Sequence, residues 1–468
     1  MDLRSVGDTE ATASTGGRIG PIRLAPGIPA GQVFIFLGLS LINICLLNMT
    51  ALLQPFVLTE QLGVPTGEQG RLSGNLAVIQ QAAVLLFIGL FGAMADRFGR
   101  RALIAAAMVV MGVACALYPL AATVAWFFVL RFLFGMGSTA YSAGGATLVA
   151  DFPENASRGK FIALALIVQS LGSSLFLATL GANALSWLTG AGLSTAEAGR
   201  VAFWGTAALA IAGSAVAVWL FKVDRKGGVT AAAARPGSAR RGPLAELRTL
   251  AANVRAVMEA ARANPKFGLV LLVSFVIRSD SAVVLTFLSL WVVNGATAQG
   301  LTTIEATALA GMLLSAMHVA TLISQPVFGV LADRMNRVTL LILALVFSAA
   351  AFASTAAVDE FSMRAVPLFV AVLLIGVAEG ALTVAAQSIF GQEAPEHLRG
   401  SAMGVFVMTG TISVIVVNFV GGILYDTMAR TAPFVMIAAL MFSFAILAMA
   451  VAARSRMKSA PADAGRPS

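Results

Sequence analysis

Twelve nearly uncharged apolar runs, each roughly 20 to 28 residues long, decide what this chain can become, because about 20 such residues suffice to cross the hydrocarbon of a bilayer as a helix. Inside hydrocarbon no water satisfies the peptide groups, so each run has to close its own hydrogen bonds as an α-helix. The runs lie near residues 33–57, 72–95, 102–122, 126–150, 161–187 and 201–221, then near 267–293, 304–332, 338–357, 365–391, 401–424 and 432–453. They are numbered here as spans one to twelve. Composition agrees: 58% of the residues are hydrophobic and 11% charged, against roughly 25% charged in soluble domains, which excludes a soluble enzyme and a disordered chain. Cys45 and Cys115 both fall inside apolar runs, which gives no support to a disulfide framework or a metal site.

An even number of spans puts both termini on one side, and Lys and Arg near span ends are retained in the cytoplasm. With the termini inside, the tails and even-numbered loops hold 25 Lys and Arg. The odd loops hold Arg71, Arg200, Arg364 and Arg430, and Arg131 and Arg278 lie within spans, which accounts for all 31. The expected topology is therefore an integral protein of a bacterial inner membrane with cytoplasmic termini. The net charge of +9 then reflects topology and contact with anionic lipids of the inner leaflet, not a nucleic-acid partner. The domain reading is a disordered tail over 1–31, a six-helix bundle over 32–221, a basic linker over 222–266, a second six-helix bundle over 267–453 and a disordered tail over 454–468. Within the linker, Leu244, Leu247, Leu250, Val254 and Val257 recur at helical spacing opposite Arg248, Arg255 and Arg262. Pro243 to Ala263 reads either as an amphipathic helix on the inner leaflet or as a solvated linker.

Two signatures occur once in each half. Gly92, Ala93, Met94, Ala95, Asp96, Arg97, Phe98, Gly99, Arg100 and Arg101 follow span two, and Gly329, Val330, Leu331, Ala332, Asp333, Arg334, Met335, Asn336 and Arg337 follow span eight. Pro153, Glu154, Arg158 and Gly159 follow span four, and Pro395, Glu396, Arg399 and Gly400 follow span ten. Asp333 stands 237 residues after Asp96, and Arg399 stands 241 after Arg158, so two homologous halves are the economical explanation. In these residues the chain resembles the major facilitator superfamily. It matches that family's G-x-L-A-D-R-x-G-R-R loop with Met94 in the leucine position, and the second copy has Asn336 in the glycine position. The resemblance implies an all-α integral membrane fold, twelve transmembrane helices in two pseudo-symmetric six-helix bundles. Arg131 with Gly135 and Gly137 in span four resembles the family's R-x-x-x-G pattern, and the arginine reads either as structural or as part of coupling.

The loop residues also have a direct physical reading. Gly92 allows close helix approach, and Gly99 permits a tight turn between spans two and three. Asp96, an anion at a helix end, can meet Arg97, Arg158 or the positive N-terminal end of span eleven near Gly400. With Arg100, Arg101, Asp333 and Arg334 these residues form a candidate latch between the halves, which by resemblance stabilises the state open to the outside. The alternative is that the arginines serve topology alone.

Ionisable groups inside spans are functional candidates, since one at the bilayer centre costs about 2.5 to 3.5 kcal/mol on insertion scales. Arg278 and Asp280 in span seven, His318 in span eight and Glu379 in span ten all fall roughly 17 to 21 Å from their span starts at about 1.5 Å per residue. Glu379, with no cation within four residues on its helix, is the first candidate for a proton carrier, Asp280 the second, and His318 reads as a third or as a packing histidine. Arg278, always charged and fork-shaped, suits a carboxylate or other oxyanion of a substrate. An anion that drew Arg278 away from Asp280 would couple anion and proton. By the helical step of about 100°, Asn43, Thr50 and Gln54 share a stripe on span one, Gln169, Ser173 and Asn183 on span five, Ser274, Arg278, Ser281 and Ser289 on span seven, His318 and Gln325 on span eight, and Thr411 and Asn418 on span eleven. These stripes outline a central cavity. Asn43, Gln54, Gln169, Gln325 and Asn418 are candidate substrate contacts, with interhelical hydrogen bonding the alternative reading of each amide.

The expected function is a secondary transporter that moves a small organic solute, an organic anion among the options, together with protons by alternating access. Symport is favoured. Gly172, Ser173, Ser174, Leu175 and Phe176 lack the Gly-Pro pattern of the family's drug antiporters, and Asn43 and Asn48 stand where its aromatic-acid importers carry carboxylates. A proton-driven exporter of lipophilic compounds and a non-transporting receptor of the same fold stay open. The chain shows no nucleophile elbow, phosphate loop or metal cluster, and His318 and His397 are far apart in sequence, so neither an enzyme nor a cofactor is expected. The expected partners are the solute, protons and the lipid bilayer, around a monomer.

Overall fold

The computed structural model describes residues 17–154, 157–219, 243–358 and 366–459. Twelve of its helices are long and apolar enough to cross a membrane: Ala30–Gln61, Gln69–Ala95, Arg100–Leu120, Val124–Val149, Arg158–Gly190, Thr195–Trp219, Pro265–Ala298, Thr303–Arg334, Arg337–Ala357, Val366–Glu393, Glu396–Thr427 and Ala432–Arg454. Every boundary lies within six residues of the sequence reading. The protein is an all-helical integral membrane protein of two six-helix halves.

The turns show why the repeat tolerates its departures. Gly99, between spans two and three, adopts φ 91°, a backbone conformation that costs glycine nothing. Asn336 occupies the equivalent place with φ −62° and instead caps span nine, its side chain accepting the N–H groups of Val338 and Thr339. One position is filled by a permissive backbone, the other by a capping side chain. Thr302 and Glu305 close a capping box at the start of span eight.

Packing differs between the halves. The second half has one continuous core around Phe267, Phe287, Trp291, Phe352 and Phe434. The first half has two, one around Phe36, Leu103, Phe152 and Phe161 on the side that carries the chain termini, the other around Phe56, Tyr118, Phe134 and Phe203 on the far side. Three spans contain a π-helical turn, Val57–Gln61 in span one, Leu177–Gly181 in span five and Val284–Leu288 in span seven. Each widens its helix beside a contact between the halves.

The hydrogen bonds described between the halves lie away from the terminal side. The Asp426 carboxylate at the end of span eleven accepts the N–H groups of Gly70 (2.8 Å) and Arg71 (2.7 Å) at the start of span two. Thr303 Oγ1 donates to Glu60 (2.5 Å), Ser289 Oγ to the Ala51 carbonyl (3.2 Å) and Ser315 Oγ to the Ser174 carbonyl (2.8 Å). Spans two and eleven meet through glycines, since a Cβ on Gly74 would come within 3.2 Å of the Gly422 Cα. At the other ends of the same helices, Gly89, Gly92, Gly400 and Gly404 have open space where a Cβ would go. The halves are closed on the far side and apart on the terminal side.

Two segments differ from the sequence reading. Within the expected tail over 1–31, the described residues from 17 onward are folded: Arg18–Ile19 pairs antiparallel with Ile22–Arg23, Leu24 bridges to Pro153, and Ala25 N–H donates to the Phe152 carbonyl at 2.9 Å. The cause is a short apolar set, Ile22, Leu24 and Ala25, all buried against the end of span four, which the Gly- and Pro-rich composition concealed. The helix Pro243–Ala263 forms as expected, yet its second part rests on protein. Val257 is fully buried in the second-half core, with Val254, Ala260 and Ala261 packed against that core. The rest of the linker, residues 220–242, and the tail beyond 459 lie outside the described residues.

The glycine contact gives a direct test. A Cβ on Gly422 would stand 2.6 Å from the Gly70 carbonyl oxygen, so Gly422→Leu should prevent far-side closure. Paired spin labels across the far-side mouth should report a longer distance than in the wild type.

Candidate solute and proton site

Two glycines build the site. Gly376 and Gly380, four apart on span ten, face span eight so closely that a Cβ on Gly380 would stand 2.9 Å from the Thr321 carbonyl oxygen. Small residues at this spacing let helix backbones approach. Glu379, one residue before Gly380 and three after Gly376, is thereby carried against span eight. Its Oε2 lies 3.4 Å from Thr321 Oγ1, and His318 stands three residues before Thr321 on the same span. The Nδ1 of His318 is buried without a partner.

From span seven comes the second acid. Asp280 is 1% exposed, against a half-buried Glu379. Its Oδ1 accepts the Ser281 N–H at 2.5 Å and stands 3.2 Å from Ser281 Oγ. The same hydroxyl also bonds Glu379 Oε1. One serine thus joins two carboxyl groups from different helices. The sequence reading selected both acids and His318 and placed Ser281 on the stripe of Arg278 without giving it a role, whereas Thr321 was not singled out. The Gly-x-x-x-Gly spacing of span ten was the available signal for the close approach.

Arg278 goes elsewhere. It is exposed, and its aliphatic stem lies on span eleven where a Cβ on Gly410 would come within 2.9 Å of Arg278 Cγ. Among the described residues no ion pair joins Arg278 to Asp280. The two side chains leave the helix about 200° apart, and Asp280 takes its hydrogen bonds from its own neighbour instead. The exchange of partners expected from sequence has no contact to act on in this conformation.

The polar stripes divide. Asn43 is half-buried with its Oδ1 unpartnered, Gln54 is buried, and Gln169 and Gln325 are half-buried. Asn418 is fully buried, donates to the Val414 carbonyl of its own helix at 2.8 Å, and turns its backbone toward Gly74. That places it in the seam between spans two and eleven. Asn48 bonds Ser173 at 2.6 Å and so ties span one to span five. Arg131 is 7% exposed inside the first half beside Cys115 and Tyr118, with Nε and Nη1 lacking partners.

The sequence model of the Major Facilitator Superfamily matches residues 34–309 and again 272–467. The chain belongs to the major facilitator superfamily. Magnetosome protein MamH of Paramagnetospirillum magneticum is 27% identical over 409 residues, 84% of this chain and 86% of that protein. Magnetosome protein MamZ of the same organism is 23% identical over 396 residues, 82% of this chain and 57% of that protein, so the chain spans little more than half of MamZ. Among solved structures, the nucleoside transporter NupG superposes with a TM-score of 0.67 at 15% identity, covering 90% of this chain and 98% of that one. An inward-facing bacterial homologue of the human lysosomal transporter Spinster gives 0.58 at 15% identity, covering 94% and 100%. At such identities the structural likeness speaks for the fold.

The superfamily's loop motif can now be placed. Arg97 is exposed over the Phe98 ring, 5.2 Å from its centroid, and Arg101 is half-buried. Arg158, Asp333 and Arg334 are exposed, Gly92 stands in open space, and the Asp96 side chain lies outside the described residues. Arg100 forms an ion pair with Asp151 at the end of span four, within the first half. Asp151 was not singled out in the sequence, although it directly precedes the Phe152-Pro153-Glu154 signature. In the second half Arg337 and Ser388, each 237 residues further on, meet through the Ser388 carbonyl at 3.0 Å. Removing Arg100 leaves a partly buried anion, whereas removing Arg337 leaves only a carbonyl. Arg100→Met should therefore cost on the order of 2 kcal/mol of stability and lower the thermal unfolding midpoint in detergent further than Arg337→Met.

Proposed function

We propose that this transporter moves a small organic solute together with protons by alternating access of its two halves. The observation that carries the reading is the Asp280, Ser281 and Glu379 cluster: two carboxyl groups inside spans, joined through one hydroxyl and, among the described residues, in no ion pair with Arg or Lys. A permanent structural role would pair such acids with Arg or Lys, because an unpaired charge at that depth is costly. Acids that take up and release protons need no such partner. With the termini cytoplasmic, as the charge distribution favours, the conformation described is closed to the outside and open to the cytoplasm. Arg278, exposed on span seven, offers its fork of donors to a carboxylate of the solute, and Asn43, Gln169 and Gln325 offer amides around the same cavity.

In this cycle the far-side bonds are the ones that must break. A carboxylate at a helix N-terminus is held by the unsatisfied N–H groups and the helix dipole, and Asp426 fulfils that role for span two. Asp96, with Arg97 and the rest of the loop motif, is the proposed counterpart on the cytoplasmic side.

Glu379→Gln should abolish accumulation driven by a pH gradient in proteoliposomes while leaving solute exchange partly intact. Undiminished accumulation would remove Glu379 from the proton role. Asp426→Asn weakens a charged cap worth about 0.5 to 2 kcal/mol and should shift the population several-fold toward the outward-open form. Asp96→Asn should shift it the other way, as read by spin-label pairs at both mouths.

A further inference from the structure

Ser281 Oγ stands within hydrogen-bond distance of Asp280 Oδ1 and of Glu379 Oε1. A hydroxyl has one proton and donates once, and an ionised carboxylate only accepts. The hydroxyl therefore cannot serve two ionised carboxylates, and one of the acids must donate to it. Asp280 Oδ1 also accepts the Ser281 backbone N–H at 2.5 Å. On the other acid, Glu379 Oε2 faces Thr321 Oγ1 at 3.4 Å, while that hydroxyl lies 3.0 Å from the carbonyls of both Met317 and Gly376 and gives its own proton there. The pair therefore holds one proton between its two acids.

We infer that Ser281 is a hydroxyl relay through which Glu379 and Asp280 share one proton, a role that rests on the proton-coupled reading above. In the transfer, the Glu379 Oε1–H bond breaks as its proton passes to Ser281 Oγ. The Ser281 O–H bond breaks at the same time and its proton joins Asp280 Oδ1. One proton moves from the half-buried acid to the buried one, and one negative charge moves the opposite way. Asp280, 1% exposed, thereby gains a route to the cavity that does not require it to move. Ser281 takes part in the transfer directly, since its own O–H bond breaks and re-forms.

Few other charges face this pair. His318 lies on span eight and Arg278 on span seven itself. Span eleven from 400 to 424, span twelve from 432 to 453 and span two from 72 to 95 contain no titratable side chain, and span one contributes Cys45. The linker helix meets span seven only at its start, near Gly268. The single proton is thus shared by the two acids, with His318 the remaining titratable neighbour.

The test compares Ser281→Ala, Ser281→Thr and Glu379→Gln in proteoliposomes, measuring accumulation driven by a pH gradient, solute counterflow without a gradient, and the pH profile of uptake. Ser281→Ala is expected to lose at least about tenfold of the driven accumulation and to shift the midpoint of the pH profile, with a much smaller loss of counterflow. Ser281→Thr, which keeps the hydroxyl, is expected to restore both. Wild-type accumulation and pH profile in Ser281→Ala would overturn the relay. So would a parallel loss of counterflow that Thr does not rescue, because the hydroxyl would then be structural. If Glu379→Gln itself accumulates solute normally, the proton-coupled reading fails whatever Ser281→Ala does.

Discussion

The hydrocarbon interior offers no water to a polar group, and this one constraint governs both the fold and the chemistry. It makes every span a helix, and it obliges polar side chains at depth to find partners among the helices themselves. Asn48 with Ser173, Ser174 with Ser315 and Asn418 with its own backbone are local answers to it. The Asp280, Ser281 and Glu379 cluster is another, and it differs because its members are acids. A neutral amide that finds its partner is finished, whereas a carboxyl that finds another carboxyl must hold a proton to stay there.

Spans two and eleven show how the same economy operates at the membrane surfaces. They run antiparallel, and each carries an aspartate near its C-terminal end, Asp96 and Asp426, and a glycine in its first turn, Gly400 and Gly70. On the far side Asp426 caps the first turn of span two. In the proposed cycle the opposite arrangement, Asp96 with the first turn of span eleven, forms when the far side opens. Because the helices are rigid and share one seam of glycines, closing one end separates the other.

The twelve spans could be read from sequence because length and hydropathy act locally, residue by residue. So could the two acids and His318, since their cost in hydrocarbon is a property of the residue and its depth. What escaped was relational. Ser281 is legible as a polar member of the Arg278 stripe, but its importance comes only from the approach of span ten, which brings Glu379 to it. Asp151 and Asp426 sit at span ends, where charge is ordinary, and gain meaning from the helix end or arginine opposite. Leu24 escaped for the converse reason, since a short apolar set inside a Gly- and Pro-rich tail carries too few residues to signal burial; Val257 was legible as part of an apolar helix face, but not that the face would dock on the second bundle.

The repeat is kept more strictly in backbone than in charge, and the difference bears on how a proton could be carried. Positions 237 residues before Asp280, Glu379 and His318 hold Asn43, Ser142 and Gln81, polar in each case and ionisable in none. The acids and the histidine are confined to spans seven, eight and ten, all in the half with the continuous core. A cluster built across the two halves would be torn apart each time they rocked, exposing single charges at mid-depth. In the proposed cycle, a cluster held inside one packed bundle would keep its hydrogen bonds through the motion and change only which side its water comes from. Alternating access would then demand little of the proposed proton site beyond a change of solvent, leaving the first half, with Arg131 and its amides, free to vary its contacts with the solute.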